Sequence, residues 1–288
     1  MAATLHDVRD FKELLQEGVE TGCPYIWKGI FPGEGWWAGR RSKKKLRLLQ
    51  RIDPAVRPML EGGEQVFFVT TGLQHSFFEE LFLGQVMYYL NRQAFVLTTK
   101  RILMIQIRSN DRPAHLRAQI QYDQVEKVLL SWGKCKLRLR TGKTLLFLRI
   151  PKADREVFQK FLVAHHARAV VPEGPAAGKE NLCPHCYDVV EGLPDRCGGC
   201  GGSFKSARKA GALSLLFPGL GDLYLGHRGI ALLEMLGAGI VWFAILSAPQ
   251  NDAAIIPFII ALLHVPDSFQ TWRIGRKGLY PGPSSLEC

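Results

Sequence analysis

The sequence predicts an α+β multidomain membrane protein, and three observations carry that class. Residues 65–150 fall into short alternating runs separated by turn residues, and residues 183–200 hold two C-x-x-C pairs. The last third contains two apolar stretches long enough to cross a bilayer. In chain order the expected parts begin with an N-terminal helical and basic region at 1–60 and an antiparallel sheet domain closed by a helix at 61–170. A linker at 171–181, a cysteine ribbon at 182–204, an interfacial segment plus two-helix membrane hairpin at 210–276, and a tail at 277–288 follow.

Composition narrows the compartment and the partners. The net charge of +11 favours anionic partners, either nucleic acid or an anionic leaflet. With apolar spans in the same chain, lipid headgroups are the simpler of the two. The opening MAATLHDVRDFKELLQEG mixes acids and bases without an apolar core, so no secretory signal is expected. Four of the seven cysteines sit in two tight pairs, while Cys23, Cys135 and Cys288 stand alone. That odd count does not make a secreted disulfide framework and fits a reducing compartment.

Along the chain, residues 5–19 place Leu5, Val8, Phe11, Leu14 and Leu15 on one helical face. A Gly/Pro/Trp-rich stretch leads to the basic run 40–51, which holds Arg40, Arg41, Lys43, Lys44, Lys45, Arg47 and Arg51 and no acid. Strands are expected at Gln65–Thr70, Gln85–Leu90, Ala94–Thr98, Arg101–Arg108, Leu116–Gln121, Glu126–Trp132, Lys134–Arg140 and Lys143–Ile150. Thr99-Lys100 and Thr141-Gly142 supply turns. The run Cys135-Lys-Leu-Arg-Leu-Arg140 alternates strictly, as a half-buried antiparallel strand does. Pro151 ends the sheet, and Ala153–Ala169 follows as an amphipathic helix through Val157, Phe158, Phe161, Leu162 and His165. The wording AFVLTTKRILMIQI followed by IQYDQVEKV resembles the bacterial PH-like and GRAM-like families, where an "lTnkRli" strand pair precedes an "ipydkI" strand. The resemblance covers roughly a hundred residues. It implies a PH-like β-sandwich with a C-terminal helix that binds lipid headgroups or protein segments.

Cys183-Pro-His-Cys186, ten residues, and Cys197-Gly-Gly-Cys200 form two knuckles, each able to hold a metal from two sides. Gly198, Gly199, Gly201 and Gly202 are expected to supply positive-φ turns around them. Together the four thiolates make one structural Zn²⁺ site with no open coordination position, hence not a catalytic one. His185 is a spare donor expected to point to solvent. The segment resembles bacterial zinc ribbons. Two disulfides or a redox pair are the alternative chemistry for these cysteines.

Gly229–Ala248 carries the single charge Glu234, and Ala253–Trp272 is interrupted by Asp267. At about 1.5 Å per residue each stretch matches a hydrocarbon core of roughly 30 Å. Lys205, Arg208, Lys209 and Arg228 precede the first span, Arg273, Arg276 and Lys277 follow the second, and the loop between has no Lys or Arg. That bias places both ends in the cytoplasm. Ala212–Gly229 is apolar but broken by Pro218, Gly219 and Gly221, so it is expected to lie in the interface or dip in and return. Pro218, Gly219, Gly221, Tyr224, Gly226 and Gly229, followed by Asp267-Ser-Phe-Gln-Thr-Trp-Arg273, resemble bacterial two-transmembrane hairpin families of the "PGLGxxYxG" type. Membership implies a bacterial inner-membrane location and little about biochemical role. Spacing puts Glu234 and Asp267 at similar depth, where they either pair with Arg228, Arg273 or His264 or form a proton or cation site.

Other motifs fail. Thr141-Gly-Lys-Thr144 lacks the upstream glycine of a P-loop, Gly219-Leu-Gly221 does not extend to G-x-G-x-x-G, and no nucleophile–base pair is supported. The expectation is therefore a non-enzymatic, membrane-anchored adaptor. Arg40, Arg41, Lys43, Lys44, Lys45 and Arg47 are its candidate lipid contacts, with Trp27, Trp36 and Trp37 nearby. A protein partner and homo-oligomerisation are compatible with such an anchor. A nucleic-acid-binding regulator is disfavoured because ribbon residues 183–203 hold only Arg196 as a strong base. An accessory channel subunit using Glu234 and Asp267 is the other alternative.

Overall fold

The computed structural model describes residues 23–31, 38–74, 90–131, 134–168, 176–247 and 255–282. Contacts divide the chain into two units, Met1–Glu180 and Asn181–Cys288. The helix expected at 5–19, nearly all of the strand expected at Gln85–Leu90, and Trp36 and Trp37 lie outside the described residues.

The first unit is mixed α and β with a large antiparallel sheet. Helices α1 (Trp27–Ile30) and α2 (Ala38–Val56) lead into β1 (Val66–Gln74), β2 (Arg92–Thr98), β3 (Arg101–Ile107), β4 (Pro113–Gln121), β5 (Val125–Ser131), β6 (Lys134–Leu139) and β7 (Thr144–Leu148). These seven strands lie in the order β5-β6-β7-β1-β2-β3-β4. Helix α3 (Lys152–Arg168) follows. Among the described residues seven of the eight expected strands are present, followed by the expected closing helix.

Local chemistry explains each part. In β6 burial alternates, with Cys135, Leu137 and Leu139 inward, so these side chains line the core face. Burial pushes the Cys135 thiol up to about 12, which makes it a packing residue. Phe158 and Leu162 of α3 are fully buried against the sheet. The ring of Phe158 lies 6.0 Å from that of Phe95 and 6.3 Å from that of Phe147. Aromatic side chains bury large apolar areas, and these three lie at the centre of the contact between α3 and the sheet. Gly72 is required by close approach: a Cβ there would meet the Phe95 ring at 2.8 Å.

The Thr98–Arg101 motif is a buried polar anchor. Arg101 holds Glu64 through Nε to Oε1 at 3.1 Å and Nη2 to Oε2 at 2.9 Å, and its Nη2 also donates to the Met59 carbonyl at 2.7 Å. Thr98 Oγ1 accepts the Arg101 backbone N–H at 3.0 Å and donates to Glu64 Oε1 at 2.5 Å. Every charge is thereby matched inside the fold, as burial demands.

Helix α2 packs Leu46, Leu49, Ile52 and Val56 inward. Tyr25 donates to Asp53, which Arg57 also holds at 2.8 Å, and Tyr25 bridges Val66 of β1. Residues 23–31 and 38–60 therefore share the compact unit of the sheet.

In the second unit, β8 (Lys179–Leu182) pairs with β9 (Val189–Val190), so the last residues of the expected linker are strand. Helices α4 (Ala207–Leu216), α5 (Leu220–Leu225) and α6 (Arg228–Leu246) follow. The chain then forms α7 (Ile255–Ile259), a π-helical turn at Ile260–His264 and α8 (Val265–Gly275). The segment expected at the interface is thus two short helices. Gly219 and Gly226 bound α5 with φ of 88° and 102°, conformations in which a Cβ would be strained.

Candidate functional site

Four thiols converge in the second unit. Cys183 Sγ lies 3.8 Å from Cys200 Sγ, and Cys186 Sγ lies 3.6 Å from Cys197 Sγ, with all four sulfurs within 4.8 Å of one another. A tetrahedron with metal–sulfur bonds of about 2.3 Å has edges of about 3.8 Å, so the set fits one ion such as zinc. No disulfide links them. The backbone N–H of Cys200, with that of Gly199, pulls the Cys197 thiol down to about 7, whereas burial pushes Cys183 and Cys186 up.

The knuckle turns differ from expectation. Of the four glycines, only Gly201 has positive φ, at 72°, and the matching position of the first knuckle is Tyr187 at 66°. Gly199 and Gly202 are small for room: a Cβ would meet the Asp188 carboxylate at 2.6 Å or the His185 ring at 2.5 Å. His185 is exposed, its ring stacked 6.4 Å from that of Phe204.

Residues 279–282 are part of this site. Phe204 pairs with Pro281, Lys205 N donates to the Tyr280 carbonyl at 2.8 Å, and Gly282 N donates to the Ser203 carbonyl at 2.8 Å. Leu279 then completes the apolar cluster of Cys183, Val190, Cys197 and Phe204. Residues 279–282 therefore pack as part of the ribbon, because the ribbon alone has too few apolar side chains to form a core.

Among the described residues one helix, Arg228–Leu246, is long and apolar enough to cross a membrane, with mean hydropathy 2.1. Its Leu233, Ile240, Phe243 and Leu246 are each at least 68% exposed. The second expected span does not meet that measure. The π-helical turn at Ile260–His264 divides it just before Pro266, which has no N–H to give the helix. Trp242 Nε1 donates to His264 Nε2 at 3.1 Å, and His264 Nδ1 bonds to the Leu215 carbonyl at 2.9 Å, which fixes the proton on Nδ1.

The hairpin-motif residues meet around Gly219. Glu234 and Asp267 do lie together, joined by Asp222, with one oxygen of each within 4.8 Å of the others. Neither forms an ion pair with Arg228 or Arg273 among the described residues. Asp267 Oδ2 accepts the Gly219 N–H at 3.1 Å, while Asp222 is shared between His227 at 2.7 Å and Thr271 at 3.0 Å. Glu234 Oε2 is buried without a hydrogen-bond partner. Gly221 lets helices cross, since a Cβ there would meet the Ala210 carbonyl oxygen at 2.2 Å. Tyr224 Oη accepts the Ser206 N–H at 3.2 Å, and Arg273 lies over the Phe269 ring at 5.8 Å. Asp222, His227, Leu279 and Tyr280 carried no sequence signal. Only the position of Asp222 inside the motif could have marked it.

The basic run is divided by α2. Arg40, Arg41, Lys43, Lys44 and Arg47 are exposed. Lys45 turns inward to Asp154 at 2.9 Å and stands over the Phe68 ring at 4.3 Å, which removes it from the set able to reach a leaflet. Burial outweighs the Asp154 charge and lowers the Lys45 ammonium below the usual lysine range.

A comparison with protein families finds no matching family model, and one with curated proteins finds no match. Among solved structures, the C-terminal domain of a protein from Leishmania infantum matches at 8% identity, covering 41% of this chain and 94% of that one, with TM-score 0.28. The Vps36 N-terminal PH domain matches at 20% identity, 38% and 83% coverage and TM-score 0.28. The N-terminal PH domain of human ARAP2 matches at 13% identity, 41% and 93% coverage and TM-score 0.26.

Proposed function

We propose that this protein is a non-enzymatic, membrane-anchored adaptor. In this reading α6 and the helix from α7 to α8 form a two-span anchor with both ends cytoplasmic. One zinc ion on Cys183, Cys186, Cys197 and Cys200 holds the ribbon. The PH-like unit binds a lipid headgroup or a protein segment. The observation that carries the reading is the bare apolar surface of α6, which no described residue covers and which water would not tolerate at that extent. Phe258, Leu262, Val265 and Phe269 extend it on the following helices. Four thiolates around one ion leave no position for a substrate, which supports a structural rather than catalytic metal.

Alkaline carbonate extraction of membranes containing the native chain tests the anchor. The protein should stay with the bilayer, and labelling of cysteines introduced at 249–252 should require access from the far side. Release into the carbonate supernatant would refute it. Metal analysis should return one zinc per chain. The buried, unpartnered Glu234 oxygen favours a second reading, an ion-handling accessory subunit, and Glu234→Gln with Asp267→Asn would then abolish a membrane conductance of the assembly.

A further inference from the structure

Arg41, Lys44 and Lys45 are spaced i, i+3 and i+4 on α2, so they share a face. That face fronts a cleft of about 200 Å³, closed on the other sides by β1 and the first turn of α3. Two further charge pairs are settled inside it. Lys45 is matched by Asp154 at 2.9 Å, whose other oxygen accepts Thr70 Oγ1 at 2.7 Å, and Arg92 is matched by Asp111 at 2.5 Å. Arg41 and Lys44 are left over. Both are exposed and line the cleft, and no described acid pairs with either. The cleft therefore carries two uncompensated positive charges.

Size and charge define what would neutralise them. Pockets for drug-sized ligands run to about 300–1,000 Å³, so this one suits a small group. Thr70 and Thr71 of β1 line it, and the Thr70 hydroxyl is already given to Asp154. Ala153 and Asp154 in the first turn of α3 also line it, and the Asp154 N–H is already given to the Pro151 carbonyl at 2.8 Å. A doubly charged tetrahedral anion matches the two cations, whereas a carboxylate would leave one charge unmatched. We propose that this cleft binds the phosphate of a phosphomonoester, with Arg41 and Lys44 as its charged ligands. Such binding does not depend on α6 spanning a bilayer.

The test uses the full chain purified in non-ionic detergent and titrated calorimetrically with inorganic phosphate and with dioctanoyl phosphatidic acid. Both probes should bind saturably, and R41Q/K44Q should raise Kd by at least about tenfold per lost side chain. K43Q/R47Q removes the same charge from exposed positions outside the cleft and should change Kd by less than about twofold. Tighter binding of phosphatidic acid than of phosphate supports a lipid source, and equal binding supports a soluble phosphate ester. Absence of saturable binding, or equal losses in the two variants, would overturn the site in favour of diffuse surface charge. The substituted residues are exposed, so unchanged melting midpoints verify that each variant is folded.

Discussion

Truncation of Leu279 separates a ribbon that folds by itself from one completed by the returning strand. Leu279 is 2% exposed and touches a cluster whose other members besides cysteines are Val190 and Phe204. Removing a buried leucine to alanine costs about 2–5 kcal/mol, and the low end applies where a small site can collapse. In a ribbon this small, metal binding and folding are one equilibrium, so the cost appears as lost metal affinity. At about 1.4 kcal/mol per tenfold, 2 kcal/mol weakens zinc binding by roughly 30-fold. Competition of Leu279→Ala against a chromogenic chelator reads that change directly, with Leu193→Ala, an exposed ribbon side chain, as control. Identical chelator curves for Leu279→Ala and wild type would show that Cys183–Cys200 closes without the strand, and the structural role given to 279–282 would fall.

Three other outcomes follow from the geometry. Arg101→Met leaves Glu64, with a side chain 0% exposed, as an unmatched buried charge, and should cost about 3–5 kcal/mol by chemical denaturation of the first unit. Gly221→Ala drives a methyl onto the Ala210 carbonyl and Thr271 and should lower the detergent melting midpoint by at least about 1–3 kcal/mol equivalent. Gly229→Ala meets nothing within 4 Å and should raise it by up to about 1 kcal/mol, so equal effects at the two glycines would contradict the packing. Glu234→Gln replaces one of three clustered carboxyl groups with an amide able to donate to the other two. An unchanged or higher midpoint is expected, and a fall of more than about 1 kcal/mol would show that a bound cation needs the charge.

How much the sequence disclosed depended on the range of the interaction. The Cys₄ set was legible because metal chemistry fixes residue type and spacing locally. Strand β6 was legible because each side chain reports its own face. Both turns were legible from Thr-Lys and Thr-Gly. Lys45 was not, since its fate is decided by Asp154, far away in sequence, and the run around it reads as uniformly solvated. The knuckle glycines were read as conformational where two serve by lack of bulk, a distinction set by Asp188 and His185 across the turn. The second apolar stretch was read as one span interrupted at Asp267 because hydropathy averages over His264 and Pro266. The helix has to accommodate each of them one by one.

The hairpin motif and the ribbon are mechanically one object, and this follows from where their hydrogen bonds end. Tyr224 of the motif caps the ribbon exit at Ser206, with Lys205 and Lys209 over its ring at 5.7 and 5.4 Å. His227, bonded to Asp222, lies edge-on to Tyr280 at 5.4 Å and 79°, and Tyr280 is itself 1% exposed in the segment that closes the ribbon. Asp222 ties the same histidine to Thr271 of α8. Loss of the metal should therefore loosen more than the knuckles, because release of 279–282 uncovers His227 and removes one wall from Asp222. Hydrogen exchange of the full chain should show protection at Leu220–Leu225 falling together with protection at the ribbon when a chelator is added. Protection at that helix unaltered by complete zinc removal would mean the motif holds its shape alone, and the link through Tyr280 would be incidental packing.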